Sequence, residues 1–290
     1  MEFSVPVAAV PAAPVPPAYP TIKESWGILG WHLLANIVVA IPVVLIVSKG
    51  LSQSKTITGL AITATANPAL LLFLRWKAGL RWRPVQLKGH EQLWLYVALP
   101  VLVLALSMVL SLLRYLHLPN TASQFFKLSG QTPWLAFVII VLTGPVCEEL
   151  VLRGVILQGL LRSQRPWIAI GQSALLFGIM HYNPAQSVNA LLLGLVFGWL
   201  YYRTRSLLLC MVLHMLFNSL AFVSILASSS PSHKSSTFFS GSPWLYAGVV
   251  TLSVLVAGGI LWGVHQTTAV EAEGVAPTGV LSLINSGEVV

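Results

Sequence analysis

The sequence predicts an all-α fold: a polytopic membrane helix bundle of about eight transmembrane helices enclosing an intramembrane cavity. Three observations carry that expectation. Hydrophobic residues make up 56% of the 290-residue chain and charged residues only 8%, with a mean hydropathy of +0.81, whereas a soluble domain carries roughly one-quarter charged residues. Apolar runs of about 17 to 25 residues recur, the length that crosses a bilayer as a helix. Inside several of these runs, polar residues fall four apart, which sets both side chains on one helix face.

Residues 1–25 hold Pro6, Pro11, Pro14, Pro16, Pro17 and Pro20 among Ala and Val, the composition of an extended, disordered tail. They lack a basic stretch followed by a short apolar core and a small-residue cleavage site, so no removable signal peptide is expected. The spans 27–48, 56–74 and 92–113 then build an N-terminal membrane region over 26–132. A core over 133–222 follows, with spans 133–161, 167–182, 187–202 and 206–227. A loop and a last span at 244–264 complete residues 223–264, and 265–290 form a second tail. Lipid offers no partner to an unpaired amide, so each span must be helical. Gly194 and Gly198 form a small-residue step on the sixth span, and Gly171 and Gly178 lie on the fifth, allowing close helix approach.

The net charge of +8 does not indicate nucleic acid, because Lys and Arg sit mostly at the edges of apolar runs rather than on a basic arm. Such flanks report topology and anionic headgroups. With the N-terminus inside, the cytoplasmic side carries Lys23, Arg75, Lys77, Arg81, Arg83, Lys88, Arg162, Arg165, Arg203 and Arg205. The opposite side carries Lys49, Lys55, Arg114, Lys127 and Lys234. The excess favours both termini in the cytoplasm of a plasma (inner) membrane. Cys147 and Cys210 both fall in apolar spans and make no disulfide framework. Cys210 lies four before His214, a thiol–imidazole spacing, but the nearby glutamates offer a simpler base.

The acids are eight glutamates and no aspartate, and Glu148 and Glu149 lie inside an apolar run. Ionisable groups at that depth are costly unless they act chemically or conduct something. Glu149 precedes Arg153 by four, the favoured order for an intrahelical ion pair. Glu148, turned about 100° around the helix, is left free to face another group. Pro145 opens the hydrogen-bond ladder just upstream. Phe177 and His181 form a second pair, and His214 and Asn218 a third. At about 1.5 Å per residue, Glu148 lies roughly 20 Å from the cytoplasmic end of its span, His181 about as far, and His214 and Asn218 roughly 12 and 18 Å in. Three helices thus bring polar groups to one level, which argues for one shared site.

That site can activate water. Glu148 and His181 would hold and deprotonate it, and His214 and Asn218 would donate to the oxyanion formed when it attacks a peptide carbonyl. Carboxylate and imidazole are also ordinary zinc ligands, so a divalent metal such as Zn would fall to Glu148, His181 and His214, although the HExxH signature is absent. A proton-coupled carrier would use the same residues as a relay, but the polar motifs occupy only the second half and no internal duplication accompanies them.

In order, Glu-Glu-x-x-x-Arg at 148–153, Phe-x-x-x-His at 177–181 and His-x-x-x-Asn at 214–218 resemble the CPBP intramembrane endopeptidase family. This family includes the type II CAAX prenyl proteases and the bacterial Abi proteins. The stretch from Gly194 to Asn218 adds to the likeness, which covers about residues 133–222. The resemblance implies an eight-helix bundle with a conical catalytic cavity. In it Glu148 and His181 activate water, His214 and Asn218 form the oxyanion site, and Glu149 and Arg153 support them. It implies a membrane-associated or lipidated substrate, such as a prenylated CAAX-type protein, and leaves open a metal-dependent or a glutamate-dependent mechanism. A catalytically idle, client-binding immunity protein would share the same fold.

Overall fold

The computed structural model describes residues 18–47, 55–228 and 242–268. Seven of its helices are long and apolar enough to cross a membrane: α1 (Ile22–Ile46), α2 (Lys55–Ala78), α3 (Leu93–Leu110), α5 (Pro133–Leu160), α7 (Pro184–Thr204), α8 (Leu207–Ser228) and α9 (Pro243–Thr267). Two are shorter, α4 (Ser123–Ser129) and the apolar α6 (Pro166–Ile179). The protein is an all-α polytopic bundle, and the described residues contain no strand.

The helix starts are written in the sequence. Pro133, Pro166, Pro184 and Pro243 each open a helix, where the missing N–H costs nothing and the fixed φ is already helical. Thr21 and Glu24 cap α1 reciprocally, and Arg81, in the 3-10 turn that follows α2, pairs with Glu24 at 2.8 Å. Tyr19 is buried, with its carbonyl so close to Gly159 that a Cβ there would lie 2.3 Å away. Residues 18–25 are therefore ordered, in contrast to the disordered tail expected through residue 25. The remainder of that tail, residues 1–17, and residues 269–290 of the second lie outside the described residues.

Helix α8 occupies the middle of the bundle, against α3, α5 and α7, while α1 pairs with α2, α3 with α9, and α6 with α7. The α6–α7 contact depends on missing side chains. A Cβ at Gly194 would sit 3.0 Å from Ala174 Cα, and one at Gly178 would sit 2.7 Å from the Ser187 carbonyl. Gly171, grouped with these in the sequence, faces open space and plays no such part.

Two features place the polar residues. The first is that α5 departs from the α register on both sides of the glutamates, with π-helical turns over Phe137–Thr143 and Leu150–Leu157. The Gly144 N–H bonds to the Ile139 carbonyl, five residues back. A proline in an α-helix clashes with the carbonyl four residues before it, so a widened turn ahead of Pro145 relieves that contact. In the same register Pro145 would have to donate to Ile140, and it has no N–H to give.

The second feature is the length of α6. Its 14 residues span about 21 Å, short of the roughly 30 Å hydrocarbon core. The fifth span was expected to run to residue 182 with His181 inside it. The helix instead ends at Ile179, and His181 lies in the turn that follows. Irregular backbone at such depth is tolerated only where protein covers it or it lines a cavity. The turn is satisfied internally, by amide bonds from His181 to Gly178 and from Tyr182 to Ile179.

Candidate active site

Glu149 is the hub of the polar cluster. One of its oxygens, Oε1, accepts from Arg153 Nη1 at 2.9 Å and lies 2.9 Å from His214 Nδ1, joining α5 to α8. Both Glu149 and Arg153 have side chains 0% exposed. The guanidinium also donates to the Gly194 carbonyl at 3.2 Å, which a glycine leaves uncovered, and sits 5.1 and 5.3 Å from the ring centroids of Phe177 and Phe197. Both rings meet the His214 ring edge-on at 5.6 Å. Arg153 is thus fixed by charge, by a backbone acceptor and by two aromatic faces.

Glu148 has a different environment. Its side chain is 27% exposed, and Oε2 lies 3.8 Å from His214 Nε2. Since Glu149 accepts at Nδ1, His214 carries a proton there, and its Nε2 turns toward Glu148. His181 is oriented in the same way, with Nδ1 2.8 Å from the Phe177 carbonyl. A carbonyl can only accept, so Nδ1 holds the proton and Nε2 is left with its lone pair. The Phe177 ring packs against both imidazoles, at 5.0 Å from His181 and 5.6 Å from His214.

Asn218 donates through Nδ2 to the Ile140 carbonyl at 2.8 Å. That carbonyl is the one Pro145 cannot serve. One of its two amide hydrogens is therefore committed to repairing α5, and the other remains for a ligand. The expected sharing of work changes in two respects. Glu149 does more than pair with Arg153, because it also fixes His214. His214 spends its Nδ1 proton on that carboxylate, so it could donate to an oxyanion only from Nε2. Cys210, considered as a thiol partner of His214, is fully buried and directs its sulfur to the Phe197 carbonyl at 3.5 Å.

Glu148, His181 and His214 do not form a metal-binding set as they are placed: among the described residues, no three His, Cys, Asp or Glu side chains converge in a way that could hold an ion. An apolar groove of about 400 Å³ on the faces of α7 and α9, lined by Trp167, Trp199 and Trp262 among others, shares no residue with the polar cluster.

Residues 130–220 match the family model described as Type II CAAX prenyl endopeptidase Rce1-like. This stretch belongs to that family. The Rce1-like region runs from just before α5 into α8 and contains every member of the cluster around Glu149. The family is one of CAAX-type proteases, and with seven apolar helices of spanning length the chain is an integral, multi-pass membrane protein. Comparison with curated proteins and with solved structures finds no match.

Outside the Rce1-like region the structure adds polar residues that sequence reasoning passed over. His32 of α1 lies within electrostatic reach of the site, with Asn36 of α1 and Asn67 of α2 bonded to it. His32 interacts with Glu148, His181 and Asn67, and Asn36 donates to the His32 carbonyl at 2.9 Å. The signal was available, since His32 and Asn36 repeat the His-x-x-x-Asn spacing of His214 and Asn218.

Proposed function

We propose that the protein is an intramembrane endopeptidase that hydrolyses a peptide bond in a membrane-associated, CAAX-type or otherwise lipidated substrate. In this reading a water held by Glu148 and His181 is the nucleophile. The observation that carries it is the polarity of the cluster: a half-buried Glu148 carboxylate faces His214 Nε2 at 3.8 Å, while both imidazoles spend Nδ1 on protein acceptors. Of these, Glu148 and the Nε2 of His181 offer acceptors to a water's hydrogens and leave its oxygen free to attack.

The steps balance without a further group. Water adds through oxygen to the scissile carbonyl carbon, its proton passes to Glu148, and the carbonyl π pair becomes an oxyanion. The C–N bond then breaks as the proton is delivered to the leaving amine. With Nδ1 held by Glu149, His214 turns Nε2 to the oxyanion as its N–H donor, and the second Asn218 hydrogen is a further donor. Glu149 and Arg153 hold His214 in place and touch no reacting atom.

On the same reading the substrate arrives laterally from the bilayer, and both termini face the cytoplasm of a plasma-type membrane, as the loop charges favour. The test is incubation of the purified protein in lipid nanodiscs with fluorogenic peptides bearing or lacking a farnesyl thioether, with products identified by mass spectrometry. The expected result is a single cleaved amide bond in at least one lipidated member. Ion-gradient-driven flux with no cleaved peptide in the series would instead assign the cluster to transport.

A further inference from the structure

Helix α1 faces mostly outward. Its described buried positions are Ser25, Ile28 and His32, a stripe at helical spacing. An imidazole at the inner end of that stripe, on a helix otherwise fit for lipid, needs a partner to be worth its burial. Its partner is the turn that carries His181. His32 Nδ1 lies 3.3 Å from Tyr182 Oη, and the two rings stack with centroids 6.0 Å apart. Asn36 Nδ2 lies 3.4 Å from His32 Nε2. Asn67 also bonds to the ring, and because a tyrosine hydroxyl can donate or accept, the His32–Tyr182 bond forms in either tautomer.

The turn needs holding. Tyr182 has φ +51°, a left-handed conformation that costs a bulky residue about 1–2 kcal/mol. The next residue, Asn183, is tied from the other side, since it accepts from the Thr121 amide at 3.1 Å and donates to Asn120 at 3.0 Å. His181 is therefore followed by one residue pinned by α1 and another pinned by the loop before α4.

We propose that His32, set by Asn36, is a positioning residue for His181 that acts through Tyr182. The functional constellation then extends beyond the Rce1-like region to the first helix. This inference rests on the endopeptidase reading for its kinetic test, and a second readout stands apart from activity. Tyr182→Phe removes one oxygen from a residue half exposed to its surroundings, so the fold should survive. Tyr182→Phe and His32→Leu are each expected to lower kcat about tenfold, with KM within about twofold, as a misplaced general base does. The double variant should fall no further than either single one, because both act along one path. His32→Asn places an N–H near the Nδ1 position and should recover most of the rate.

Losses expressed in KM, additive losses, or kcat within about twofold of the parent in Tyr182→Phe would overturn the proposal. Should the parent protein cleave nothing, the endopeptidase reading fails by itself, and the ¹⁵N imidazole spectrum of His181, assigned by its loss in His181→Gln, decides the structural claim. A single Nδ1–H tautomer that becomes mixed in Tyr182→Phe supports the proposal, and an unchanged spectrum overturns it.

Discussion

Glu149→Gln separates the two duties of one carboxylate. The substitution keeps the shape of the side chain but removes the charge between Arg153 and His214, both 2.9 Å from the same oxygen. Neither Glu149 nor Arg153 is reached by solvent, so Arg153 becomes a buried cation without a counter-charge. Breaking a buried pair in this way costs about 3–5 kcal/mol, which is a fall of about 10 °C or more in melting temperature for a protein of this size. The new amide nitrogen also lacks an acceptor, because Oε2 has no hydrogen-bond partner among the described residues. Adding Arg153→Met removes the stranded charge and should restore part of the stability, the rest being lost with the unpaired amide and with the donor to the Gly194 carbonyl. Activity should not return, because His214 still lacks its anchor. Thermal unfolding of the three proteins in nanodiscs, alongside peptide cleavage, checks both halves. A Glu149→Gln protein melting within about 2 °C of the parent would refute the burial argument, and cleavage regained by the double variant would refute the role given to His214.

Other consequences follow from the same contacts. Asn218→Leu strands the Ile140 carbonyl and should destabilise by about 1–3 kcal/mol; Pro145→Ala in the same chain restores a donor for that carbonyl and should recover part of the loss in thermal unfolding. Gly194→Ala places a methyl 3.0 Å from Ala174 Cα and 3.3 Å from Phe177 Cδ1. It should cost about 1–3 kcal/mol by overpacking and reduce cleavage with it, by moving the carbonyl that holds Arg153. Outside the membrane spans, burial pushes the Glu91 carboxyl up, but hydrogen bonds from the Gly89 amide, Ser206 and Tyr96 outweigh it and hold the group below the ordinary carboxylate range. Its folded value is the lower one, so its contribution to stability is present above the unfolded value and is lost as pH falls through the folded one. Hydrogen exchange at the His90 amide, which bonds to the Thr204 carbonyl, should therefore lose protection at acid pH after correction for intrinsic rate, and Glu91→Gln should remove that dependence.

The bundle was legible because lipid reduces the choices: an apolar run of spanning length can satisfy its amides only as a helix. The Glu149–Arg153 contact was equally legible, since a four-residue spacing on one helix fixes the neighbours. The link from Glu149 to His214 was not, because a separation of 65 positions carries no spacing rule, and the sequence had assigned Glu149 to Arg153 alone. The widened turns of α5 were only hinted at by Pro145, which announces a broken ladder but not the register that replaces it. The position of His181 past the end of α6 was hidden because no glycine marks the stop, the left-handed position being taken by Tyr182. His32 was missed for another reason. It lies on a span outside the family-like stretch and was given no weight, although its spacing to Asn36 matches a pair that was.

The central claim is that Glu148 is the base that takes the proton from water. It is the exposed member of the pair, and its recorded contact with His214 is long at 3.8 Å, so Glu148→Gln should leave the melting temperature within about 2 °C of the parent, as for a weak, partly solvated contact. Steady-state cleavage of a farnesylated peptide in nanodiscs by parent and variant is the most direct measurement. The account predicts that kcat falls by about 10²–10⁴-fold with KM little changed. A folded Glu148→Gln protein that cleaves within about threefold of the parent rate would contradict it, since loss of a general base typically costs about 10²-fold or more.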